Sequence, residues 1–163
     1  MTGLQREKIS AVDTAWLRMD RPGNLMMICG VLLFGQPVRF DRVKRVIRDR
    51  FIRFQRFRQR PVQVLGAAYW ESVPDFSIDD HILAVALPGR AGTKELQALV
   101  SRLAGRPLDP ARPLWEFHVV ENFGLGSAII VRIHHCYADG IALVRVMMSM
   151  TDAAPDGPPA MPF

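Results

Sequence analysis

The sequence predicts an α+β domain in which helices pack on a mixed sheet. Apolar segments of strand length and segments with helical spacing follow one another without a strict strand–helix–strand alternation, which favours an open mixed sheet with helices packed on it. The hydrophobic fraction of 49% against 23% charged residues is enough to build a core in a chain of 163 residues, which fits one domain of ordinary size.

Along the chain, Ser10 ahead of Val12, Ala15, Trp16 and Met19 predicts a short capped helix closed by Arg21, Pro22 and Gly23. Leu25 to Gly35 is the longest apolar run and predicts a buried strand. From Phe40 to Phe54, Val43, Val46, Ile47, Phe51 and Phe54 recur near helical spacing. Pro61 interrupts the chain; Val62 to Val73 is then extended, as is His81 to Leu87 before Pro88 and Gly89. Thr93 is expected to cap a helix that runs through Ala104, with Glu95 in its first turn and Gly105 after its end. Arg106 to Pro113 is a proline-rich connection. Trp115 to Glu121 and Ser127 to His134 are two strands joined hairpin-fashion by Asn122 to Gly126, and Ile141 to Met150 is an apolar helix. Residues 1–152 are expected to form the domain. Residues 153–163, with four prolines and a glycine, are expected to be a linker to a second domain.

No apolar run is long enough to span a bilayer. The polar start, Met1 to Ser10, lacks the basic-then-apolar order of a signal peptide, and two distant cysteines, Cys29 and Cys136, make no disulfide framework. These features predict a cytoplasmic protein. The net charge of +5 is local: Arg39 to Arg60 holds nine arginines and Lys44 against Asp41 and Asp49, a surplus of +8, so the remainder carries −3. In this segment arginines alternate with Phe51, Phe54 and Phe57. Three accounts stay open for it: a solvated basic helix face, a single-stranded nucleic-acid surface, or a contact with anionic lipid.

The chemistry-bearing stretch is His134-His135-Cys136-Tyr137-Ala138-Asp139-Gly140, between an apolar strand and an apolar helix. A histidine at a strand end is held by a rigid element, and with an ordinary pKa of about 6.5 its neutral ring can take a proton near pH 7. Asp139 can cap the following helix or pair with an arginine, and Gly140 lets the backbone turn closely. Adjacent histidines on a strand face opposite ways and chelate one metal poorly, so no metal site is expected. Simple packing of the pair is an equal alternative on residue type alone.

The pattern resembles His-His-x-x-x-Asp-Gly, the signature of the chloramphenicol acetyltransferase-like superfamily, which includes condensation domains and carnitine acyltransferases. Two further stretches narrow the resemblance. Pro107 to Glu116, with Pro113-Leu114-Trp115, is similar to the Pro-Leu-Trp region of bacterial wax ester synthase/diacylglycerol acyltransferases, and Ile9 to Met19 with Asn24 to Met27 is similar to their opening. The three occur in the family's order, and the resemblance covers essentially the whole chain.

The resemblance implies one of the two chloramphenicol acetyltransferase-like domains of an acyl-CoA-dependent O-acyltransferase that makes triacylglycerol, wax esters or both. His135 would be the general base, with direct transfer and no acyl-enzyme. Asp139 would be structural and His134 supporting, while Pro113, Leu114, Trp115 and Gly140 would shape the substrate channel. No cofactor is implied, since acyl-CoA is a substrate. The implied partners are acyl-CoA, diacylglycerol or a fatty alcohol, the C-terminal half of the same enzyme, and an anionic membrane or lipid-droplet surface reached through Arg39–Arg60. Nucleic acid is not among them. The alternatives are a condensation-type enzyme acting on carrier-bound substrates and a non-catalytic binding half.

Overall fold

The computed structural model describes residues 6–137 and 140–152; Asp139 and the expected linker at 153–163 lie outside the described residues. The chain opens with β1 (Arg6–Lys8), α1 (Ala11–Met19) and β2 (Met27–Phe34). Next come α2 (Phe40–Val46), which widens into a π turn over Ile47–Phe51, and a 3₁₀ turn at Gln55–Arg58. β3 (Gln59–Val64), β4 (Ala67–Ser72) and β5 (Ile82–Ala84) precede α3 (Thr93–Ala104). β6 (Trp115–Phe123), β7 (Gly126–His134), a 3₁₀ turn at His135–Tyr137 and α4 (Gly140–Ser149) complete it.

The strands form two sheets. One has the order β2-β7-β6-β5, antiparallel except for the parallel β5–β6 pair, and is therefore mixed as expected. The other, β1-β4-β3, is antiparallel. β7 is central and all nine of its residues are buried, because neighbours pair with it on both edges and apolar layers cover both faces. Ile129, Val131 and Ile133 face one layer with Trp115, Phe117, Val119, Phe51 and Ile47. Ala128 and Ile130 face the other, where α3 supplies Leu96, Leu99 and Leu103. This alternation follows from the two-residue side-chain period of a strand.

Four expectations need correction. Leu25 to Gly35 does not form a buried strand: β2 is an edge strand with one partner, and Val31, Leu32 and Leu33 are exposed. Val62 to Val73 is not one extended piece but most of a hairpin that turns at Leu65 and Gly66, both at positive φ (50° and 81°). Pro61 sits within β3, where an edge strand tolerates its missing N–H. The helix from Phe40 stops at Phe51 after the π turn, three residues before Phe54. Thr93 is the first residue of α3, not its cap; Gly92 precedes it, and Glu95 Oε2 accepts the Gly92 N–H at 2.9 Å.

The first helix follows the sequence closely. Ser10 Oγ accepts the Asp13 N–H at 3.1 Å and caps α1. Trp16 and Leu17 pack on the core from this otherwise exposed helix.

Candidate active site

The site is built around the end of β7. β2 runs antiparallel to β7 with Met27 opposite His134, so the chain just before β2 lies beside the turn that follows β7. The Met26 carbonyl accepts the His135 N–H at 2.8 Å, and the Leu114 carbonyl accepts the His134 N–H at 2.9 Å. From the far side, the buried Tyr137 hydroxyl accepts the Leu114 N–H at 2.8 Å and donates to the Gln59 carbonyl at 2.7 Å. Burial pushes the Tyr137 phenol well above its ordinary pKa, so it stays protonated and can keep donating. The turn carrying His135 is thus held by three separate parts of the chain.

His135 is half-buried. Its ring stacks on Trp16 of α1 with centroids 4.0 Å apart and planes inclined by 26°. Its Nδ1 is buried and has no hydrogen-bond partner among the described residues. His134 is buried, with 4% exposure. Its Nδ1 accepts the Cys136 N–H at 3.1 Å, and its Nε2 lies 3.7 Å from Asp20 Oδ2. Burial lowers the His134 pKa; the Asp20 carboxylate opposes this and His135 adds to it. His134 is therefore neutral at pH 7, with Nδ1 as acceptor and the proton on Nε2.

Beside His134 lies a cavity of about 370 Å³, whose walls include His134, Asp20, Leu17, Met27 and Leu114; His135 is next to this wall in the chain and is not part of it. Pro107, Leu108 and Pro110 of the connection before β6 close it from another side. The lining is apolar apart from His134, Asp20 and Gln63, which suits a hydrocarbon chain with one polar end.

The residues named from the sequence take different places. His134 and Leu114 line this cavity. Trp115 is fully buried in the core, its Nε1 donating to the Phe57 carbonyl at 2.8 Å and its ring stacked on His81 at 4.3 Å, and it does not line the cavity. Pro113 is buried next to Leu114, and Gly140 begins α4 in an exposed position. Asp139 lies outside the described residues. Cys136 is buried, and burial pushes its thiol far above the range in which a thiolate forms at neutral pH, which disfavours it as a nucleophile.

Sequence reasoning did not find Trp16 or Asp20 as neighbours of the histidines. Trp16 read as an apolar helix position within the stretch similar to the family's opening, and Asp20 drew no reading of its own. Among the described residues no three His, Cys, Asp or Glu side chains converge as a metal site.

The basic segment divides into charges paired and charges unpaired among the described residues. Arg56 lies over the Trp70 ring at 4.5 Å and pairs with Glu7 at 2.9 Å. Arg60 pairs with Glu71 at 3.0 Å, Arg50 reaches Asp152 at 2.9 Å, and Lys44 pairs with Asp79. Arg39, Arg42, Arg45, Arg53 and Arg58 are exposed.

Comparison with known proteins bears on the family and the fold. Residues 9–163 match the family model described as the wax ester synthase/diacylglycerol acyltransferase catalytic domain. A Mycobacterium tuberculosis protein assigned as a diacylglycerol O-acyltransferase is 36% identical over 160 residues, covering 93% of this chain and 35% of the relative. A second from that species, also so assigned, is 40% identical over 99 residues, covering 60% of this chain and 21% of the relative. The chain thus spans about a third or less of the length of these relatives. Among solved structures, the wax ester synthase/diacylglycerol acyltransferase from Marinobacter aquaeolei VT8 superposes with a TM-score of 0.78 at 25% identity, covering 92% of this chain and 39% of that one. The starter condensation domain of rhizomide synthetase, in complex with C8-CoA, shares the fold with a TM-score of 0.74 at 15% identity, over 90% of this chain and 34% of that one. With its mixed sheet, packed helices and match over residues 9–163, the chain belongs to the wax ester synthase/diacylglycerol acyltransferase family.

Proposed function

We propose that this chain supplies the catalytic base of an acyl-CoA-dependent O-acyltransferase that makes triacylglycerol, wax esters or both. The observation that carries the reading is the half-buried His135 ring, carried by the turn after β7, stacked on Trp16, and next along the chain to His134, which lines an apolar cavity. In the reaction, His135 takes the proton of the acceptor hydroxyl. The hydroxyl oxygen attacks the thioester carbonyl, the C–O bond forms, and the C–S bond breaks. The proton then passes from His135 to the CoA thiolate. The ester is made in one transfer with no acyl-enzyme, and no cofactor takes part. General base help of this kind is worth roughly 10²–10⁴-fold.

His134 supports the turn, and Asp139 has a structural role. Pro113, Leu114, Trp115 and Gly140 contribute to the substrate channel, Leu114 at the cavity wall and the others through the backbone around it. A second domain of similar build completes the site, and the chain has little turnover without it. Ile141, Val144 and Met148, exposed on one face of α4, support this, as does the exposed edge of β2.

The exposed arginines from Arg39 to Arg58 suit an anionic lipid surface, which would bring the enzyme to its oily substrates. No helix among the described residues is long and apolar enough to cross a membrane. Sedimentation with anionic liposomes at low salt tests the contact, and failure to co-sediment removes it. CoA release from palmitoyl-CoA with hexadecanol or diacylglycerol, with His135→Ala as control, tests the reaction.

A further inference from the structure

We infer that Asp20 is a positioning residue for His135, acting through two arms that meet at the turn after β7. The inference rests on the reading of His135 as the base. Asp20 stands at the C-terminal end of α1, and its side chain is 32% exposed at the cavity wall.

The first arm runs through the backbone. Asp20 Oδ1 accepts the Met26 N–H at 2.7 Å, and the Met26 carbonyl accepts the His135 N–H at 2.8 Å. One residue, Met26, therefore links the Asp20 carboxylate to the anchor of the His135 backbone. The second arm runs through a side chain. Asp20 Oδ2 lies 3.7 Å from His134 Nε2, and His134 Nδ1 accepts the Cys136 N–H at 3.1 Å. A separation of 3.7 Å is a charge–dipole contact and not a hydrogen bond. It still favours the tautomer with the proton on Nε2, and only that tautomer leaves Nδ1 free to accept from Cys136. The two arms hold the amides of His135 and Cys136, on either side of the His135 side chain.

A simpler account would make Asp20 an ordinary helix-end residue. The electrostatics oppose it. The C-terminal end of a helix carries a partial negative charge, and a carboxylate there is unfavourable. The helix gains nothing from Asp20 that a neutral residue would not give, whereas the turn after β7 gains two anchors. Among the described residues His134 Nε2 is buried with no hydrogen-bond partner, and Asp20 is the acidic group it faces.

The test reads the two arms separately by amide hydrogen exchange on the ¹⁵N-labelled chain, together with the histidine ring resonances. In Asp20→Ala, the His135 and Cys136 amides lose protection by about tenfold, while Val119 and Ile130 in the β6–β7 core keep theirs. In Asp20→Asn, which retains an acceptor for the Met26 N–H, the His135 amide stays protected and the loss is confined to Cys136. The His135 ring protons, shifted by the Trp16 face, move toward free-histidine positions in Asp20→Ala. With the second domain supplied, kcat of Asp20→Ala falls about tenfold and KM for acyl-CoA changes less than about threefold. Unchanged protection at His135 and Cys136 in Asp20→Ala overturns the inference, and so does lost protection with an unchanged kcat. If His135→Ala keeps full activity, the reading of the base fails; the exchange data report the two arms independently of it.

Discussion

The imidazole of His135 lies against the indole of Trp16, with ring centroids 4.0 Å apart. The two come from opposite ends of the chain, one from the first helix and one from the turn after the central strand. Their contact restricts how the proposed base can tilt. Stacked aromatic pairs are worth about 0.5–1.5 kcal/mol beyond their buried area, or roughly 2- to 10-fold in rate if the orientation is needed only at the transition state. Trp16→Ala should lower kcat by that factor, and Trp16→Phe, which keeps a flat ring, should lose less. Steady-state kinetics with acyl-CoA and an alcohol measure both.

Trp115 has no exposure, donates to the Phe57 carbonyl, and meets Phe51 edge-on at 4.9 Å. Trp115→Ala should destabilise the fold by about 3–5 kcal/mol, from the lost burial and from the carbonyl left without its donor. Urea unfolding gives the value. A cost below about 1 kcal/mol would place Trp115 outside the core.

Two glycine-related positions should respond in opposite directions. A Cβ on Gly126 would fall 1.9 Å from the Phe34 carbonyl oxygen, which is backbone and cannot step aside cheaply. Gly126→Ala should therefore cost about 1–3 kcal/mol. Leu65 is fully exposed and held at φ 50° in the β3–β4 turn, where a leucine is strained by about 1–2 kcal/mol. Leu65→Asn places Asn-Gly in a two-residue hairpin turn and should raise stability by about 1 kcal/mol. The same urea titration reads both.

Stability should fall as the solution is acidified from neutral, and two histidines account for the first part of the fall. Burial holds the folded-state pKa of His81 below its ordinary value, although its Nδ1 bonds to the Trp115 carbonyl at 2.8 Å. Burial does the same to His134. In both cases the unfolded chain binds the proton first. Stability is full above the unfolded pKa of about 6.5 and falls as pH drops from there toward the folded-state values. A second loss follows below about pH 4.5, because hydrogen bonds from Arg6 and Arg60 hold the Glu71 carboxyl below its ordinary range, and that stabilisation is lost when it protonates. His81→Gln should remove its share of the first slope and leave the second. Urea midpoints from pH 8 to about pH 3 give both slopes.

The parts legible from sequence were those governed by local rules. Ser10 announced α1 through its cap, Asn122 to Gly126 announced the hairpin, and Ser127 to His134 read as one apolar strand because both faces of β7 are covered. The β3–β4 turn stayed hidden because Leu65 occupies a position where Asn or Gly would signal it. β2 misled because an apolar run reads as buried whether the sheet or a further domain covers it. For the site, His134 and His135 stood out by motif. Trp16 and Asp20 did not, because their relation to the histidines is created by the β2–β7 pairing across more than a hundred residues. No spacing rule reaches that far.

The central claim is that His135 takes the acceptor's proton. The most direct measurement is CoA release from palmitoyl-CoA with hexadecanol or diacylglycerol, by the chain mixed with its separately expressed second half, for the parent and for His135→Ala. The account predicts turnover in the mixture, little by the chain alone, and a loss of about 10²-fold or more in His135→Ala with the fold intact. Turnover that survives His135→Ala in a folded protein would contradict it.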